Sequence, residues 1–160
     1  MKKLLLVLIA VIGITVAANA QGNNYKAIGL RGGYGTELSY QQPVGGNRLE
    51  VDFGRLESLL NSYYHYFTGT VTYQWLFDLG SIVPGLGWYV GPGAGAGWYM
   101  SSYYTSGLTV YVGGIIGVDY KFANLPLQVS LDFRPMYNVI NHSYYSNIDY
   151  STAFGIRYTF

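Results

Sequence analysis

The chain has no cysteine, only two histidines, and only 11% charged residues among its 160. Without cysteine there is no disulfide, no thiolate zinc site and no lipidated N-terminal thiol. The sparse charge is nearly balanced, nine basic against eight acidic residues, so nothing recruits nucleic acid or anionic lipid electrostatically. No segment of helical length beyond residue 20 repeats its apolar residues with helical periodicity. Nor does any apolar run reach the roughly 20 residues of a membrane-spanning helix. The one long run, Leu4 to Val16, follows Lys2 and Lys3 and precedes Ala18-Asn19-Ala20. Those are the three parts of a secretory signal peptide cleaved after Ala20. Residues 1–20 are therefore expected to leave, and residues 21–160 to form one domain with a slight negative balance.

What the chain has in excess is 18 Tyr, 7 Phe, 3 Trp and 22 Gly. Glycine and strand-favouring aromatics are both poor helix formers, and the chain reads as strands throughout. Eight segments alternate with period two: Tyr25–Gly33, Thr36–Gln42, Arg48–Gly54, Tyr66–Phe77, Trp88–Tyr99, Leu108–Phe122, Pro126–Tyr137 and Ile148–Phe160. Compact turns, Pro43 to Asn47, Asp78 to Gly87 and Ala123 to Pro126, alternate with polar connections at Glu57–His65, Met100–Gly107 and Asn138–Asn147. Only the first of the polar-side connections, around Tyr34-Gly35, is short. Short turns at one end and longer loops at the other, with an even strand number, is the layout of a bacterial outer-membrane barrel.

The charges test that layout. When each strand is oriented by its apolar residues, Leu49, Val51 and Phe53 face out and Arg48, Glu50 and Asp52 face in. Val110, Val112, Ile116 and Val118 face out, leaving Asp119 and Lys121 inside; Leu127, Val129, Leu131 and Phe133 face out, leaving Asp132 and Arg134. Arg31, Glu37, Asp149 and Arg157 follow the same parity. Lipid explains the sorting, because an Arg or Lys on the outer face costs about 2–4 kcal/mol at the midplane and about 0–1 near the interfaces. Lys26 and Arg55, the exceptions, sit at strand ends where they can snorkel. A soluble barrel would reverse the arrangement. Eight strands leave an interior just wide enough for side chains to fill, so these eleven groups are expected to neutralise one another and plug the lumen.

Three further patterns carry weight. Gly91, Gly93, Gly95 and Gly97 fall on alternate residues of strand five, facing inward, and lack the spacing and following helix of a phosphate loop. They are expected to make room for long Arg and Lys side chains, and Pro92 to require a bulge or an edge-like register. Ser-Tyr-Tyr occurs three times in the polar connections: Ser62, Tyr63, Tyr64; Ser102, Tyr103, Tyr104; and Ser143, Tyr144, Tyr145. These residues suit either an aromatic girdle at headgroup level or a recognition surface of rigid rings and adaptable hydroxyls. His65 and His142 both fall in expected outer loops. The only cluster with nucleophilic potential is His142 with Ser143, Ser146 and Asp149.

The last strand alternates Phe154, Ile156, Tyr158 and Phe160 against Ala153, Gly155, Arg157 and Thr159. A chain ending on an aromatic in such a strand resembles the small eight-stranded Gram-negative outer-membrane proteins, the OmpA-like transmembrane domain and OmpX-like group. The segments Trp88–Ala94 and Pro126–Pro135 also resemble strands of such porin-like domains. The resemblance implies an all-β, eight-stranded antiparallel up-and-down transmembrane β-barrel in the outer membrane. It implies as partners the surrounding lipid and lipopolysaccharide, and the barrel-insertion machinery reading the strand that ends in Phe160. A periplasmic peptidoglycan-binding domain, and with it a cell-wall tether, is not expected beyond Phe160. The expected role is a non-enzymatic structural or adhesin-like one, with the loops meeting a host or cell-surface ligand and with no cofactor, metal or nucleic acid. The alternatives are a lipid A deacylase-like or acyltransferase-like enzyme using His142, or a narrow channel. The deacylases, however, separate His and Ser by one strand residue, and the acyltransferase begins with an amphipathic helix that has no counterpart before Tyr25.

Overall fold

The computed structural model describes residues 25–33, 35–54, 64–101, 107–140 and 147–160; the signal-peptide segment and its cleavage site lie outside them. Eight strands follow in order: β1 (Ala27–Gly32), β2 (Thr36–Val44), β3 (Asn47–Gly54), β4 (Tyr64–Asp78), β5 (Leu86–Ser101), β6 (Gly107–Lys121), β7 (Leu127–Ile140) and β8 (Ile148–Thr159). Each pairs antiparallel with its sequence neighbour, and β1 pairs with β8 to close the barrel. Closure removes the unpaired edge that an open sheet would expose. Backbone bonds between Lys26 and Phe160, in both directions at 2.9 and 2.8 Å, fasten the two ends together at the short-turn rim.

Alternation sets the sidedness. Along β7 the residues Gln128, Ser130, Asp132, Arg134 and Met136 are buried, whereas Leu131, Phe133 and Tyr137 are exposed. Asp132 and Arg134 keep 2% and 3% of their surface, against 52% and 40% for Leu131 and Phe133. Among the described residues, six apolar side chains are buried against sixteen polar or charged ones, which inverts the pattern of a water-soluble domain. The exterior is a continuous apolar wall that includes Leu30, Leu38, Val51, Val71, Val112, Ile116 and Ile156. Aromatic pairs mark its two margins. Phe77 stacks on Trp88 and Tyr158 on Phe160 toward the turn end; Phe53 meets Phe67 toward the loop end.

Several sequence expectations change in detail. The first turn is not Pro43 to Asn47 but the two-residue Gly45-Gly46, with φ of 57° and 83°, and Val44 pairs directly with Asn47. Two successive positive φ angles match the right-handed twist of the flanking strands, so Pro43 and Val44 remain in β2. At the other end the strands continue further than the apolar pattern suggested. Tyr64 and His65 pair with Ser101 and Met100, and Asn138, Val139 and Ile140 still belong to β7. Backbone pairing has no reason to stop where hydrocarbon stops, and the 14 to 16 residues of β4–β7 exceed the roughly 9–11 needed to cross a membrane.

β1, β2 and β3 are much shorter. Pairing of β8 with β1 ends at Phe154, and pairing of β4 with β3 ends at Thr68. Among the described residues, Ile148–Ala153 therefore pair only with β7 and Tyr64–Phe67 only with β5. Among the described residues, the ladder reaches further toward the loop end on β4–β8 than on β1–β3.

Strand five decides one point between its two alternatives and corrects another. Pro92 causes no bulge: the β4–β5 register is the same at Thr72↔Gly93 and at Trp75↔Val90, with paired residues missing only between them. The missing N–H opens a gap in the ladder without shifting it. The atoms nearest an added Cβ on these glycines belong to aromatic rings, a threonine, a methionine and the backbone, with no Arg or Lys atom among them. A Cβ on Gly95 would lie 2.5 Å from the Tyr111 ring, on Gly97 2.6 Å from the Tyr66 hydroxyl, and on Gly93 3.1 Å from Met136. On Gly91 it would lie 1.8 Å from the Tyr73 carbonyl oxygen, a backbone atom that cannot swing aside. Gly91→Ala is therefore expected to lower unfolding stability by about 1–3 kcal/mol in denaturant titrations of the refolded barrel. Gly69→Ala, where an added Cβ meets nothing within 4 Å, should be nearly neutral.

Candidate functional site

The lumen is organised around a carboxylate and four arginines. Glu50, on β3, is fully buried. One of its oxygens accepts from Ser39 Oγ at 3.0 Å and Arg157 Nη2 at 2.8 Å, the other from Gln41 Nε2 at 2.7 Å and Gln74 Nε2 at 2.9 Å. Four donors match the four acceptor sites of an ionised carboxylate. Arg157 reaches onward, with Nε donating to Ser39 at 2.9 Å and Nη1 to Ser130 at 2.7 Å.

Toward the loop end, Arg31 forks onto Asp132 and donates from Nη1 to Glu37 at 2.7 Å. Arg134 pairs with Asp52 and reaches Glu37 at 3.4 Å. Toward the turn end, Arg48 donates to Asp119 at 2.6 Å and Gln74 at 2.7 Å, and its guanidinium lies 4.7 Å from the Tyr89 ring centre. Gln128 donates to the same Asp119 oxygen at 2.8 Å. Strands far apart in sequence are thus cross-linked through the barrel axis, Arg31 and Asp132 being 101 residues apart.

The predicted inward charges take distinct places. Arg31, Arg48, Glu50, Asp52, Asp132, Arg134 and Arg157 are buried; Glu37 and Asp119 are half-buried. Lys121 is half-buried at the turn-end mouth, its ammonium 5.4 Å from the Tyr25 ring centre. Asp149 lines the loop-end mouth with Ser151 and is exposed there. Sequence reasoning missed the uncharged fill: Ser39, Gln41, Thr70, Thr72, Gln74, Tyr89, Tyr111, Gln128 and Ser130 are all buried in the same lumen. Their parity along each strand, the same as that of the charges, was the available signal. Tyr89 and Tyr111 were the hardest to find because tyrosine also suits the outer girdle.

At the loop end, Ser62, Tyr63, Ser102, Tyr103, Tyr104, Ser143, Tyr144 and Tyr145 lie outside the described residues. Tyr64 opens β4 and is part of the ladder rather than a loop, as is His65. His142, Ser143 and Ser146 also lie outside the described residues, while Asp149 belongs to β8.

No family model matches the chain, and no curated protein does. Among solved structures it is similar to neisserial surface protein A, with a TM-score of 0.60 and 14% identity over 85% of this chain and 94% of that one. The fold is that of a small eight-stranded outer-membrane barrel. A looser likeness, with a TM-score of 0.42 and 12% identity over 85% of this chain and 94% of the other, is to Ail, the attachment invasion locus protein of Yersinia pestis. At such identity the likeness extends to the strands and their order, and the lumen side chains rest on their own geometry.

Proposed function

We propose that the chain is an integral outer-membrane protein whose plugged barrel anchors a cell-surface interaction site formed by the loop end. The observation that carries the reading is the inverted sidedness, ion pairs enclosed and an apolar wall outside, which is stable only where hydrocarbon surrounds the cylinder. The length of the described strands β4–β7 supports it further. Strands longer than a membrane crossing needs end in rigid backbone at Ser101, Gly107 and Ile140, where residues 102–106 and 141–146 attach. Rigid placement lowers the ordering cost of binding, and Tyr-, Ser- and Asn-rich loops supply contact area with few rotors.

Replacing Tyr103, Tyr104, Tyr144 and Tyr145 together by Ser should leave the heat-shifted gel band of the folded barrel unchanged. It should lower adhesion of barrel-displaying cells to host cells or glycan surfaces severalfold. Unchanged adhesion would reject the recognition role and leave the tyrosines as girdle.

Conduction is the reading the lumen disfavours. Arg157, Glu50, Asp52, Gln41, Gln74 and Gln128 are almost wholly buried, and together they cross the bore. Planar bilayers containing the refolded barrel are expected to be silent, and discrete openings altered by Arg134→Ala would overturn this. Non-enzymatic action is part of the same proposal: His142→Ala should leave adhesion unaltered, and lipid A and phospholipid acylation should be the same with and without the chain.

A further inference from the structure

Two prolines break the barrel wall at a single level. Pro92 of β5 pairs with Gly114 of β6, and the β6–β7 register places Gly114 opposite Pro135. The N–H that Pro92 lacks would face β4, where paired residues are missing between Thr72↔Gly93 and Trp75↔Val90. The one that Pro135 lacks would face β6, where they are missing between Gly113↔Met136 and Ile116↔Phe133. On their other sides both prolines stay in unbroken ladders, Pro92 beside Gly114 and Pro135 beside Tyr150. The β5–β6 hairpin is therefore bounded on both flanks by a gap at the same step. That step lies between Trp88 at one aromatic margin and Trp98, which pairs with Phe67, at the other. Acyl tails rather than headgroups surround the wall there.

Side chains do not make up for the lost bonds. The hairpin's ties to the rest of the lumen lie at its ends, Asp119 to Arg48 and Gln128 and Tyr89 to Asp132 toward the turns, Tyr111 to Thr70 toward the loops. Between them the inward positions are Gly91, Gly93 and Gly95 on β5 and Gly113, Ile115 and Gly117 on β6. None of these can hydrogen-bond through a side chain. The opposite wall, by contrast, is laced by Arg157 to Ser39, Ser130 and Glu50 and by Arg31 to Glu37.

Immediately behind the Pro135 gap the lumen turns apolar. Ile115 and Met136 are 2% and 6% exposed. The Met136 thioether lies across two glycines, with Cε 3.1 Å from where a Cβ would stand on Gly93 and Sδ 2.8 Å from one on Gly113. A cavity of about 70 Å³, lined also by Thr68, Thr70 and Tyr111, adjoins Met136 on the loop side. It gives this flexible side chain room to withdraw.

We infer that the seam between Gly114 and Pro135 is a lateral gate, through which an acyl tail of the surrounding lipid enters the slot that Met136 otherwise fills. The gap opens onto hydrocarbon, and the slot behind it is apolar and walled by glycine. Parting β6 from β7 at that level breaks no side-chain hydrogen bond and fewer backbone bonds than an intact ladder would hold. The ion-pair plug stays whole beside it, so the gate gives no passage across the membrane. The inference rests on the outer wall facing lipid, as proposed above.

The test uses the refolded full chain in phosphatidylcholine vesicles doped with a phosphatidylcholine that carries a diazirine at the end of one acyl tail. Illumination expels dinitrogen and leaves a carbene, which inserts into a bond of the nearest side chain, and peptide mass spectrometry locates the adducts. Outward residues such as Leu131 and Phe133 should be labelled in every variant; if they are not, the wall does not face lipid and the membrane reading itself fails. Adducts on Met136 or Ile115 are expected in addition, with none on Ser130 or Asp132, which are also inward and buried. Pro135→Val, which returns the missing N–H to the seam, should lower the inward adducts severalfold, leaving the outward ones and the folded gel band unchanged. Met136→Ala, which empties the slot, should raise the adducts on Ile115. Labelling confined to outward residues, inward adducts undiminished in folded Pro135→Val, or no rise at Ile115 in Met136→Ala would overturn the gate.

Discussion

Glu50→Leu is expected to destabilise the barrel by about 3–5 kcal/mol, the cost of leaving one partner of a buried ion pair alone. The carboxylate is fully buried and accepts four donors, from Ser39, Gln41, Gln74 and Arg157. Its removal leaves the Arg157 charge in a dry site and three polar groups short of an acceptor. Arg157 keeps its bond to Ser130 at 2.7 Å, which does not neutralise it. Urea titration of the protein in lipid vesicles measures the loss directly. The double substitution Glu50→Leu with Arg157→Met should recover much of it, because a well-packed apolar pair can replace a buried ion pair at little cost. A double variant as unstable as the sum of the two single ones would mean that the two residues act independently, against the geometry.

The second large effect lies on the opposite face of the same wall. Leu131→Arg places a cation in the middle of the apolar belt, where Leu131 is 52% exposed between Val118 and Phe154. The expected cost is about 2–4 kcal/mol near the midplane. Leu125→Arg, in the turn at the barrel's end and 54% exposed, should cost about 1 kcal/mol or less. In water these two equally exposed leucines would respond alike. The contrast between them separates a hydrocarbon surround from an aqueous one, and it can be read as insertion yield or as a shift in the urea midpoint.

The sidedness of the fold was legible in the chain because a one-residue slip in a strand moves every side chain to the wrong solvent. Lipid penalises that error heavily, so Leu131, Asp132, Phe133 and Arg134 state their faces unambiguously. The tight turn was legible as glycine, but not its length, which the positive φ of both Gly45 and Gly46 decides. The loop-side strand ends were not legible. Beyond the hydrocarbon a residue such as His65 or Asn138 suffers no penalty on either face, and the ladder continues on backbone bonds alone. The site was legible as a set and not as a pattern. Parity gathers the charges inside, but partners such as Arg31 with Asp132, or Arg157 with Glu50, are fixed by strand stagger around a closed cylinder, which no local pattern encodes. The glycines of β5 show the same limit. Their shared face was readable, while the Tyr111, Tyr66 and Met136 side chains they admit arrive from other strands.

The absence of native cysteine permits the most direct test of the central claim. Single cysteines placed one at a time from Leu127 to Ile140 in the refolded protein, spin-labelled in lipid vesicles, report contact with dissolved oxygen and with a water-soluble nickel complex. Oxygen contact should peak at Val129, Leu131, Phe133 and Pro135 and fall at Gln128, Ser130, Asp132 and Arg134, with little nickel contact at the peaks. A profile with no period of two, or with nickel contact highest at Leu131 and Phe133, would mean that water surrounds the cylinder and would contradict the account.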